Sequence, residues 1–321
     1  MILYFAGAEV EKVNQALLDN GVKNILYSFY YIHLFGRYPF IERMIKDHPD
    51  VNMFLDSGAY TFSRKGDKTR GRFGSQENYL KSYFKFIDLY GHGFRRIAEP
   101  DFDVAGMEIE EVADLREEML SRWPHLPIMP TYHPWREREE WLEYCEDPRV
   151  KHLAVGMGEY TPGELRWLCN QAHDHGKTVH GFGMTKIRTD LRSVPFDSVD
   201  SSTWLQGQRY GTMFVFQGNT FQNIHSGAIG GKENRRRYKE YFKGIGCDFA
   251  KILADDLDEV RKANIIAWRN LAERLVVMRK YQTLDNSRTA TDSSDDTKQT
   301  TTLKRREEEP GKVWAKGRSD V

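Results

Sequence analysis

Short, continuously apolar runs alternate with segments of helical spacing along most of this chain, and that alternation leaves few folds open to it. Eight such runs follow one another: Ile2–Ala6, Asn24–Phe29, Val51–Leu55, Phe94–Ala98, Leu126–Tyr132, Val150–Val155, Thr178–Phe182 and Ser198–Asp200. Most are apolar at successive positions, not at every second one. Such strands need cover on both faces, which is the condition of a parallel sheet flanked by helices. Helical spacing fills Val10–Leu18, a turn or more within Ile41–Lys46, and Met107–Trp123. Thr161-Pro162-Gly163-Glu164 has the cap and proline of a helix start, and Gly176 follows as a stop. About eight strand–helix units in under roughly 290 residues favour a closed (β/α)8 TIM-like barrel over an open doubly wound sheet.

A long amphipathic helix over Asp256–Tyr281 is expected to close this domain, residues 1–283. Residues 284–321 are rich in Ser, Thr, Asp and Lys with one aromatic, Trp314, and are expected to form a disordered tail. Lys+Arg and Asp+Glu are both 47, so a strongly basic coat for nucleic acid is excluded, while a local basic patch is not. Aromatic residues make up 13%, which suits deep cores and also pockets for flat ligands. The three cysteines, Cys145, Cys169 and Cys247, are too sparse for a disulfide framework and point to a reducing, cytoplasmic setting. No run of 18 apolar residues occurs, so no membrane span is expected. The opening Met-Ile-Leu-Tyr-Phe-Ala-Gly reads as a first strand and not as a leader.

Reactive groups of such barrels stand at the C-terminal ends of strands. Here those ends carry Asp56-Ser57-Gly58, Glu99-Pro100-Asp101-Phe102-Asp103, Thr131-Tyr132-His133, Gly156-Met157-Gly158, His180-Gly181-Phe182-Gly183 and Val199-Asp200-Ser201. Two carboxylates on one rim suit substitution at a sugar anomeric carbon. One attacks C1′ and the other shuttles a proton to the departing group. The plainer reading of Asp56 or Asp200 is a cap or an Asx-turn.

Four of these segments, in this order, resemble the tRNA-guanine transglycosylase superfamily. Asp56-Ser57-Gly58 is similar to its Asp-Ser-Gly-Gly element, and Ala154-Val155-Gly156 to its base-binding glycine loop. His180-Gly181-Phe182-Gly183 and Ser198-Val199-Asp200-Ser201 are similar to its downstream turn and nucleophile region. The compact Val-Asp-Ser-Ser-Thr-Trp form and the short chain are most like the phage-encoded DNA branch of the superfamily, DpdA. The resemblance implies a DNA-guanine transglycosylase. Guanine in DNA would be exchanged for a free 7-deazaguanine base such as preQ0, in the host cytoplasm if phage-encoded. Asp200 would be the nucleophile, with Asp197 as competitor, and Asp56 the general acid/base. Asp103 would bind the guanine edge, with Asp101 the competing choice. Ser57, Gly156 and Met157 would line the base site, and Tyr132 or His133 would lie beside the base where the tRNA enzymes use a glutamine.

The tRNA enzymes carry a Cys-x-Cys-x2-Cys zinc site, and no two cysteines here lie close together, so no metal is expected. No redox cofactor is expected either, because one glycosidic bond replaces another. Arg64, Lys65, Lys68, Arg70 and Arg72 form a basic, glycine-rich loop directly after the Asp56 strand, suited to phosphates. Arg235, Arg236 and Arg237 lie among Tyr238, Tyr241 and Phe242. That stretch reads either as a nucleic-acid surface or as a solvated helix with its aromatic side turned inward. The competing functions are exchange on tRNA, a metal-dependent barrel hydrolase using the same acidic rim, and a catalytically silent nucleic-acid-binding homologue.

Overall fold

In the computed structural model, the residues described are 1–64, 70–186, 193–207, 211–218, 220–229 and 231–292. Met1–Arg279 form one compact unit and Lys280–Val321 a second. The strands all lie in the first. The strands are β1 (Ile2–Ala6), β2 (Asn24–Ser28), β3 (Asn52–Asp56), β4 (Arg96–Ala98), β5 (Ile128–Met129), β6 (Thr131–Tyr132), β7 (His152–Val155), β8 (Thr178–Gly181) and β9 (Ser198–Ser201). They pair in parallel in the order β5-β4-β3-β2-β1-β9-β8-β7-β6. The two ends of this order are consecutive in sequence, because β5 and β6 are one extended segment interrupted at Pro130. Its first half pairs with β4 and its second with β7. The sheet therefore closes, and the fold is a (β/α)8 barrel of the TIM type.

Pro130 explains the interruption. It has no N–H to give to a ladder. The next donor, the Thr131 N–H, goes to the buried Glu99 carboxylate at 2.8 Å, and the Pro130 carbonyl still accepts from Ala154 at 2.8 Å. Tyr4, Leu26, Phe54, Ala98, Met129 and Ala154 fill the barrel interior. A larger core lies between the strands and the surrounding helices. Those helices include α1 (Glu11–Asp19), α2 (Phe29–Leu34), α3 (Tyr38–Asp47), α4 (Ala59–Ser63), α5 (Gln76–Tyr90), α6 (Ile109–Arg122), α7 (Arg138–Glu146) and α8 (Pro162–Asp174). The expected cap at Thr161 is present and is reciprocal: Glu164 N–H donates to the Thr161 hydroxyl and the Thr161 N–H to the Glu164 carboxylate.

Three details depart from the pattern reading. Phe29 begins α2 and does not end β2. Helices α5 and α7 stand where no element is marked. An antiparallel hairpin, β10 (Thr212–Gln217) and β11 (Thr220–His225), follows the barrel. Buried Asn264 ties it down, accepting from the Phe214 N–H at 2.8 Å and donating to the Trp204 and Thr212 carbonyls. Under the hairpin, Tyr238, Tyr241 and Phe242 of the helix Lys232–Gly244 pack into a second apolar cluster with Val260 and Ala263. The final helix runs Leu257–Asp292. Of the expected tail, residues 293–321 lie outside the described residues.

Candidate active site

Parallel closure puts every strand's C-terminal end on one rim, and a cavity of about 860 Å³ opens there. Asp56, Asp101, Asp200 and Glu9 line it, as do His133, Gly156, Met157 and Gly183. Arg64 is the one arginine among its described lining residues.

Asp56 is the last residue of β3. The chain then turns at Gly58, whose φ of +78° is left-handed and where a side chain would collide with Tyr30 and the Tyr79 hydroxyl. That tight turn into α4 fixes the carboxyl at the cavity floor. Burial is the largest cause of its pKa being pushed up to about 7. The neighbouring Asp101 carboxylate adds to this, the Ser28 hydroxyl opposes it, Asp200 raises it again, and the Gly58 N–H opposes. Asp56 and Asp200 thus share one electrostatic site, although they are far apart in sequence.

Asp200 lies on β9 in different surroundings. Its Oδ1 accepts from the Gly183 backbone N–H at 2.8 Å and lies 3.3 Å from His180 Nε2. His180 is buried in the barrel interior, and its other nitrogen meets Ser198 Oγ at 2.9 Å. Burial lowers the His180 pKa, with the Asp200 contact opposing. Asp197, the competing nucleophile, stands before β9 at the opposite end of the barrel, where it meets His173 and the Val179 N–H.

Asp101 faces the cavity. Its Oδ1 accepts from the Ser57 hydroxyl at 3.1 Å, and its Oδ2 lies 2.9 Å from His133 Nε2. The His133 ring packs against Gly156 so closely that any Cβ there would overlap it. Gly156 is therefore a steric requirement for the placement of His133. On its other side His133 stacks on Trp135, centroids 4.4 Å apart and planes at 9°. Glu9, just beyond β1, is a fourth acidic group. Burial pushes its pKa up to about 7, against hydrogen bonds from the Ser28 N–H and its own N–H.

The structure brings Asp56, Asp200, His133, Gly156, Met157 and Arg64 to one cavity. Ser57 lies beneath it, fully buried, supporting Asp101. Two expectations are corrected. Asp103 does not face the cavity: Arg136 clamps both its oxygens, at 2.8 and 2.9 Å, and Trp135 donates to it at 2.9 Å. Burial alone would raise its pKa, but Arg136 outweighs that and holds the carboxyl below its usual range. Asp101 lines the cavity instead. Tyr132 points outward, its hydroxyl donating to the Arg136 carbonyl at 2.9 Å, so His133 is the residue beside the site. Arg72 is exposed on the turn Arg70–Phe73. Lys65 and Lys68 lie outside the described residues, as does the side chain of Arg70. Arg235, Arg236 and Arg237 are exposed, but their aromatic neighbours are turned into the core and are not offered to bases. Sequence reasoning missed Glu9 and Trp135; each stands three residues past the end of a strand, so a strand-end rule extended that far would have found them. Among the described residues no group of three or more His, Cys, Asp or Glu side chains is arranged to hold a metal ion. None of their helices is long and apolar enough to cross a membrane.

No family model and no curated protein matches this chain. Solved structures that it resembles include a mandelate racemase/muconate lactonizing protein from Herpetosiphon aurantiacus, at 13% identity and a TM-score of 0.44. That match covers 69% of this chain and 61% of the other, so this chain spans less than two thirds of its length. A TatD family hydrolase from Entamoeba histolytica matches at 11% identity and a TM-score of 0.39, over 84% and 97% of the two chains. The carboxyl transferase domain of Rhizobium etli pyruvate carboxylase matches at 11% and 0.38, over 83% and 48%. Likenesses this distant carry no argument about what the chain does.

Proposed function

We propose that this barrel is a base-exchange enzyme, a guanine transglycosylase acting on DNA, in which Asp200 is the nucleophile and Asp56 the general acid/base. The observation that carries the reading is the pairing of two carboxylates in unlike surroundings on one cavity. Asp56 has its pKa raised to about 7, where it holds a proton to give, and Asp200 is an acceptor oriented by a backbone N–H. An Asp200 oxygen attacks C1′ of the deoxyribose. The C1′–N9 bond breaks, its electron pair leaves with guanine, and the Asp56 proton goes to the departing base. The incoming 7-deazaguanine gives a proton back to Asp56 and displaces Asp200 from C1′. Asp101, His133 and the backbone at Gly156 and Met157 bind the base edge. Duplex DNA hides the C1′ bond, so the target nucleotide enters flipped or from a single strand, with Arg64 at the rim meeting the backbone.

The test is incubation of the protein with guanine-containing DNA and a labelled 7-deazaguanine, with a tRNA arm run beside it. Label in DNA is expected, and its loss by at least a thousand-fold in Asp200→Ala. Label confined to tRNA would move the substrate to RNA, and none in either from a folded protein would reject base exchange.

A further inference from the structure

We propose that the cavity mouth carries a stacking rim for the unpaired bases that flank the target nucleotide, so that the preferred substrate is a single strand of DNA. The proposal rests on the base-exchange reading for the occupant of the cavity, but its own evidence is the distribution of exposed apolar side chains. Nine large apolar residues are exposed among the described residues, and five of them (Val10, Phe35, Tyr60, Trp135 and Met157) line this one cavity. Scattered apolar side chains on a surface need no explanation; their concentration around one opening marks a binding surface. They come from the segments after β1, β2 and β3 and after β6 and β7, so they stand on two sides of the mouth.

Two of the rings, Trp135 and Phe35, are held ready by their neighbours. Trp135 rests one face on His133, and its Nε1 donates to Asp103 at 2.9 Å, while 50% of the residue remains exposed. Arg136 in turn fixes Asp103. Phe35 lies parallel to Tyr31, centroids 6.1 Å apart with planes at 9°, and is 52% exposed. Tyr60, on α4, is 55% exposed. Flat side chains already fixed by their neighbours stack on a ligand at low entropic cost. Charge selects the ligand. Among the described lining residues the four carboxyl groups have no lysine or arginine beside them within, so the floor offers a phosphate no fixed cation, and Arg64 supplies one at the edge. A nucleotide strand meets both conditions, with its backbone held at the mouth and its neutral, flat bases on the rings.

The experiment uses a single-stranded oligonucleotide with one guanine flanked on each side by 2-aminopurine, and a second oligonucleotide with abasic flanks. On the first, quenching of 2-aminopurine fluorescence is expected on binding to the wild-type chain. Phe35→Leu, Tyr60→Leu and Trp135→Leu are each expected to raise Kd on the order of ten-fold and to relieve quenching. The same variants should bind the abasic-flanked strand as wild type does. Arg64→Ala should lower the salt slope by about 0.7, and the leucine variants should leave it alone. Equal wild-type affinity for the two strands, absent quenching, or variants with unchanged Kd would overturn the rim. Binding and quenching are read without base exchange. A strand that binds and is quenched yet takes up no labelled deazaguanine therefore rejects the exchange reading alone. A strand that takes up label without quenching rejects the rim alone.

Discussion

Asp56 and Asp200 have the same chemistry and different neighbours, and the difference assigns their roles. Burial and the field of Asp101 push the Asp56 pKa up to about 7, so its proton is available to a departing base near neutrality. The value for kcat/KM with the nucleic acid is expected to fall as pH rises through about 7, and Asp56→Asn should abolish that limb along with most of the activity. The same shift has a stability consequence of defined sign. The folded-state pKa lies above the unfolded value, so the stabilisation is complete below about pH 4 and is lost as pH rises through about 7. Asp56→Asn cannot ionise. Its gain in stability over wild type should therefore grow between pH 4 and pH 8, by on the order of 2 kcal/mol because the carboxyl keeps part of its surface open to the cavity. Paired urea titrations at the two pH values measure it, and a gain that shrinks with pH would place the Asp56 pKa elsewhere.

At the scale of elements, the β4 and β6 ends are held by a buried charge cluster. Glu99 receives Arg116 at 2.6 Å; Arg116 and Arg136 both reach Glu140 at 3.1 Å, and Arg136 clamps Asp103. Removing one partner of such a set leaves a buried charge uncompensated and costs about 3–5 kcal/mol. Asp103→Ala is therefore expected to act mainly on stability, with a lowered Tm and a loosened Trp135, while the choice of base in the exchange assay stays unchanged. A variant of wild-type Tm with altered base preference would return Asp103 to the base site. This cluster also shows where the sequence stops being legible. The eight apolar runs announced the strands, and the strand-end rule placed Asp56, Asp200, His133 and Gly156, because β geometry is local and period-driven. Which of Asp101 and Asp103 faces inward is decided by an arginine over 30 residues away, and no spacing rule carries that information. Helix α5 was legible in principle: Ser75 caps it, and Tyr79, Tyr83, Phe86 and Ile87 are buried at helical spacing. Its many aromatics blurred the pattern. The helix Lys232–Gly244 was ambiguous because a basic stretch with aromatics has the same composition whether its rings face bases or the core.

For the whole molecule, closure of the barrel through the split strand at Pro130 turns separate sequence segments into one rim. Zero net charge overall is compatible with a cavity lined by four carboxylates, with Arg64 at its edge and Arg72 exposed beyond α4. Long-range attraction of nucleic acid would then be a property of that edge, not of the molecule as a body. Everything proposed about activity depends on a bond between Asp200 and a sugar carbon. The most direct measurement is denaturing electrophoresis with peptide mass spectrometry of the protein after incubation with a guanine-containing single strand and no acceptor base. The expected result is a covalent protein–DNA species joined at Asp200, discharged by added 7-deazaguanine and absent from Asp200→Asn. Exchange of label into DNA by Asp200→Asn, or an adduct mapped to another residue, would contradict it.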